Sequence, residues 1–61
     1  MFEEYQRLFA KYGFTECPLS ETDILYIELK YENVTMDQIY GVGCDVAAGV
    51  SLKEAIQYNI T

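Results

Sequence analysis

Ten carboxylates, two thiols and no histidine are the groups with which this 61-residue chain would have to do chemistry. Catalysis by a serine or cysteine nucleophile needs a neighbouring base, and histidine, the usual one, is missing. Paired carboxylates do acid–base work on glycosides when about 5 to 9.5 Å separate them. Glu28 and Glu32, read as two residues of one strand face, stand about 13 Å apart at strand rise. That is too far. Glu3 with Glu4, and Glu21 with Asp23, lie in polar stretches and read as solvated charge. Cys17 and Cys44 are 27 positions apart with no C-x-x-C spacing. Zinc asks for about four N, S or O ligands, so two isolated thiols build no structural site. They read as reduced, largely buried thiols rather than a disulfide. Gly41-Val42-Gly43 opens like a dinucleotide fingerprint, but Val46 stands where G-x-G-x-x-G/A needs a small residue. These glycines also follow a helix cap rather than a strand, with Asp37 and Asp45 nearby and no lysine. The sequence implies no enzyme, no cofactor and no metal.

Binding is what remains, and the charge says where. The formal charge is −6, yet both ends of the chain are balanced. From Glu16 to Asp45 there are seven carboxylates against Lys30 alone. Glu21, Asp23, Glu28, Glu32 and Asp37 surround Tyr26, and tyrosine is favoured at protein interfaces for its rigid, amphipathic contact. Such a cluster presents a negative field to a basic protein surface and speeds association with it. The same sign argues against direct contact with nucleic-acid phosphates. No run of about 18 apolar residues exists to span a bilayer. Residues 1–15 include Glu3, Glu4, Arg7 and Lys11 and lack a continuous apolar core, so no secretory signal is evident. The expected compartment is the cytoplasm.

The elements that must position these groups follow from periodicity. Phe2, Tyr5, Leu8, Phe9 and Tyr12 recur at three-and-four spacing and predict a helix from Phe2 to about Tyr12. Gly13 suits the left-handed turn that ends a helix, which lets Phe14 fold back onto Phe9. Residues 14–17 have weak strand character, and Pro18 ends them or confines them to a sheet edge. Ser20-Glu21-Thr22-Asp23 reads as a polar turn. From Ile24 to Tyr31 apolar residues alternate, which predicts a strand with Leu25, Ile27, Leu29 and Tyr31 facing the core. Ile24, Tyr26, Glu28, Lys30 and Glu32 then face outward. Two capping boxes, Thr35-x-x-Gln38 and Ser51-x-x-Glu54, start helices near 36–48 and 52–59. Gly43 and Ala47, four apart, form a small-residue surface for close packing, either within the chain or against a second copy. Phe2, Tyr5, Phe9, Tyr12, Phe14 and Tyr31 are the aromatic core.

The expected fold is therefore a single α+β domain over residues 1–61: a helix, a short β-hairpin or single strand, then two helices. One strand does not satisfy its own backbone groups. Either residues 14–17 pair with it, or a second chain completes it by dimerisation. In size and charge the chain resembles small accessory proteins encoded by phages and mobile elements. That resemblance implies an inhibitor that occupies a basic channel of a larger partner, as a nucleic-acid mimic does. The alternative expectation is a self-associating structural or regulatory homodimer.

Overall fold

The computed structural model describes residues 2–61 and contains four helices: α1 (Phe2–Lys11), α2 (Glu21–Lys30), α3 (Met36–Ala47) and α4 (Leu52–Asn59). No strand occurs among the described residues, so the α+β expectation is overturned. The domain is all-α. Its radius of gyration, 10.4 Å, matches the roughly 10.5 Å of a folded chain this long, so the helices form one packed body.

The first helix ends as its sequence requires. Gly13 adopts φ +95°, a conformation open to glycine at little cost. The Phe14 amide then donates to Phe9 O and the Gly13 amide to Ala10 O, each at 3.1 Å. This pair of bonds is the Schellman stop. It brings the Phe14 ring edge-on to Phe9, with centroids 5.4 Å apart. Gly49, at φ +100°, ends α3 the same way: the Val50 amide donates to Asp45 O at 2.9 Å. Gly49 is therefore a helix stop.

The segment expected as a strand is α2. Ser20, read as part of a turn, is a helix cap: its hydroxyl accepts the Asp23 amide at 3.1 Å. The Asp23 carboxylate returns the bond to the Ser20 amide at 3.4 Å, completing a capping box with aspartate in the third position. Ile24 and Ile27 are buried and Tyr31 is half-buried, following i, i+3, i+7 rather than alternation. Leu25 and Leu29, expected inside, face out, and Ile24, expected outside, is core. Residues 14–17 form no strand either, so the hairpin is absent. A strand completed across a dimer loses its premise with it. The physical reason is local: a helix satisfies its own backbone groups, whereas a lone strand in a chain this short has no neighbour to bond.

Both later helices start where their caps stand. The Thr35 hydroxyl accepts the Gln38 amide at 3.2 Å, and Gln38 Oε1 accepts the Thr35 amide at 2.9 Å. The Ser51 hydroxyl accepts the Glu54 amide at 3.3 Å. Asn33 takes φ 59° in the turn leading into α3, a left-handed position that asparagine tolerates. The closest helix pairing is α3 with α4, and α1 lies against α3. Tyr5, Leu19, Ile24, Ile27, Ile39, Val42, Ala55 and Ile56 form the buried core. Leu19, between α1 and α2, and Val42, between the two close-packed glycines of α3, belong to it. Tyr12 does not: it is 57% exposed, its ring lying 5.0 Å from that of Tyr40 at the surface.

Candidate partner-binding surface

The cap at Ser20 and the inward residues Ile24, Ile27 and Tyr31 fix the rotation of α2. At 100° per residue the opposite side carries Thr22, Leu25, Tyr26 and Leu29. Leu29 is 86% exposed, Leu25 47% and Tyr26 45%. Leucines at i and i+4 on a solvated helix face form an apolar ridge about one turn long. Single exposed apolar residues are ordinary, but a contiguous set on one face marks a contact surface. Glu21 and Glu28 border the ridge on one side, and Lys30 and Asp23 on the other.

The six carboxylate and tyrosine positions expected to meet a partner fall into different environments. Glu21 and Tyr26 are on the exposed surface of α2, and Glu32 is exposed just beyond its end. Asp37 is exposed in the first turn of α3, where its charge complements the helix dipole. Asp23 is half-buried and engaged in the cap. Glu28 is also half-buried, because its Oε2 accepts the Tyr5 hydroxyl at 3.1 Å and ties α2 to α1. Its charge is partly committed to the fold, leaving Glu21 and Glu32 as the freer acids. Tyr26 is held locally, its hydroxyl accepting Lys30 Nζ at 2.9 Å. Leu25 and Leu29 are the residues that sequence reasoning missed, since alternation assigned both to the core.

Gly43 and Ala47 separate. Gly43 is buried against Phe9 and Pro18 of the same chain, while Ala47 is exposed. Gly41 makes the second close approach: Asn59 of α4 sits over it and donates to Asp45 Oδ2 at 2.8 Å. Cys17 and Cys44 are half-buried free thiols. No cluster of three or more potential metal ligands occurs among the described residues. None of their helices is long and apolar enough to cross a membrane.

The Tyr5–Glu28 bond carries a pH signature. Burial first, and then the bond to Glu28, push the Tyr5 phenol up to about 12 from its ordinary 10.0. A raised folded-state value means that the native state holds the proton more tightly than the unfolded chain. The stabilisation is complete below pH 10 and is lost as pH rises from 10 to 12. We expect a loss of about 1–2 kcal/mol over that window, below the full two-unit equivalent because the Tyr5–Glu28 bond is only partly buried and solvent screens it. Denaturant melts of wild type and Tyr5→Phe at each pH check this: the difference between them should shrink as pH rises. A constant difference would refute the linkage.

No family model, no curated protein and no solved structure matches this chain.

Proposed function

We propose that this chain is a non-enzymatic binding protein that inhibits or modulates a larger partner by setting the outer face of α2 on a basic surface of it. The observation that carries the reading is the Leu25–Leu29 ridge, exposed and bordered by Glu21, Glu28 and Glu32. The leucines supply apolar burial, and the acids supply steering and register. A standard interface covers about 800 Å² per partner, roughly a fifth of this molecule's 4145 Å². One ten-residue helix does not fill that, so the contact extends over the following turn to Glu32 and Asp37. A groove built for nucleic acid fits this pattern, being basic and long. Size and charge support a cytoplasmic accessory protein of the kind encoded by phages or mobile elements.

The alternative, a self-associating homodimer, has less behind it. Its strand is absent, Gly43 is covered from within the chain, and an isologous pairing through α2 sets like charges against each other. The test is capture from lysate with wild-type, Leu29→Asp and Glu21→Lys/Glu32→Lys baits at about 50 and 500 mM salt. A protein with a basic surface should be retained by wild type, lost with Leu29→Asp, and weakened about tenfold or more by charge reversal or high salt. Leu29→Asp should keep wild-type helicity and melting temperature, because Leu29 touches no core. Retention indifferent to Leu29 and to salt would end this reading, and a second copy as the sole bound species would revive the homodimer.

A further inference from the structure

The flank of α2 beside the leucine ridge carries a site of different character. Between α2 and α4 lies an open groove of about 680 Å³, within the range that holds small organic ligands. Tyr26 and Tyr31 line it from the α2 side, Leu52 and Ile56 from α4, and Lys30 and Lys53 stand at its edges. Half of the chain's four bases thus converge here, and Asp23 is the one acidic side chain in a lining that also includes Thr61. That acid is already spoken for by the Ser20 amide in the α2 cap. On a molecule of net charge −6, two basic side chains here stand beside one acidic side chain.

We infer that this groove binds a small organic anion with a flat apolar body, of the aryl carboxylate or aryl sulfonate class. The tyrosine faces and the two aliphatic side chains take the body. Lys30 and Lys53 take the charge. Lys30 is held over the groove wall, its Nζ 5.3 Å from the Tyr26 ring centroid and 5.7 Å from that of Tyr31. One of its three donors goes to the Tyr26 hydroxyl, which leaves two for a ligand. Lys53 lies in the first turn of α4 and makes no ion pair among the described residues. The positive end of the α4 dipole adds to its field. The site adjoins the partner surface and shares Tyr26 with it: the ridge uses Leu25 and Leu29, which the groove does not touch, and the groove uses the flank of α2 turned toward α4.

A matched pair of probes tests it. The anion 1-anilinonaphthalene-8-sulfonate and the neutral N-phenyl-1-naphthylamine share one aromatic body and differ in the charge. The sulfonate should bind the folded protein one to one and at least about fivefold more tightly than the neutral compound. Lys53→Gln should weaken the sulfonate about three- to fivefold and leave the neutral compound unchanged. Gln57→Glu, an exposed change at the groove, should weaken it similarly, which guards against any effect of Lys53 on folding. Amide shifts should centre on Tyr31, Lys53, Gln57 and Thr61, and Leu29→Asp should bind the sulfonate like wild type. Equal affinity for both probes, indifference to Lys53 and Gln57, or shifts centred on Leu25 and Leu29 would overturn the assignment.

Discussion

Ile27→Ala is expected to destabilise the domain by about 2–4 kcal/mol, while Leu29→Ala, two residues along, changes stability by less than about 0.5 kcal/mol. Ile27 is fully enclosed by the core, whereas Leu29 is nearly bare to water. Truncating Ile27 removes apolar transfer energy and leaves a void that the four short helices close only in part. A domain this small holds only a few kcal/mol of net stability, so the variant should melt at least about 10 °C lower. Thermal melts by circular dichroism read both variants. The contrast also tests the fold, because a strand would place Ile27 and Leu29 on one face. Matched losses would restore the strand and remove the exposed ridge on which the proposed function rests.

Most of the helical framework was legible from residue types. The stripe of α1, its stop at Gly13 with Phe14 folding back, and the caps at Thr35 and Ser51 all rest on local chemistry, and the structure places them there. The α2 segment was not legible by periodicity, since Ile24 to Tyr31 satisfies two periods at once. Leu25, Ile27, Leu29 and Tyr31 alternate, while Ile24, Ile27 and Tyr31 recur at helical spacing. Its β-branched and aromatic content favours a strand, and tertiary context overrides that preference. The deciding signal was Ser20 with Asp23 three residues on. Aspartate there completes the capping box as glutamate does, only with a shorter reach. A strand also needs a neighbour, and no second segment of this chain offers a convincing one.

The same ambiguity governed the candidate surface. Its charges were legible because acidic side chains reach solvent under either period. The leucine ridge was not, because its direction depends on the period itself. Glu28 shows the remaining limit, since its bond to Tyr5 joins residues 23 apart in sequence. No local pattern in the sequence points to that pairing. Nor does one point to the groove, which takes Lys30 and Lys53 from different helices.

Gly43→Ala should be the most informative change inside α3, and it should destabilise. In an open helix, replacing glycine with alanine gains about 1 kcal/mol. Here the new methyl would stand 2.3 Å from Phe9 Cζ, 2.6 Å from Phe9 Cε1 and 3.2 Å from Pro18 Cγ. The Phe9 ring has little freedom to retreat. Phe14 abuts it edge-on at 5.4 Å and Tyr40 lies 5.1 Å away, and the residue is wholly buried. Overpacking of this kind costs about 1–3 kcal/mol, which against the gain of about 1 kcal/mol leaves a net loss of up to about 2 kcal/mol, larger for Gly43→Val. The remedy is specific. Phe9→Leu removes the atoms that the methyl would strike, so the Gly43→Ala/Phe9→Leu double variant should be more stable than the two single losses added together. A double-mutant cycle in denaturant measures this coupling, expected at about 1 kcal/mol or more. Additive losses would mean that Phe9 is not what excludes a side chain at position 43. Sedimentation of Gly43→Ala completes the argument, because a glycine kept for contact with a second copy would alter association and leave the unfolding of the monomer untouched.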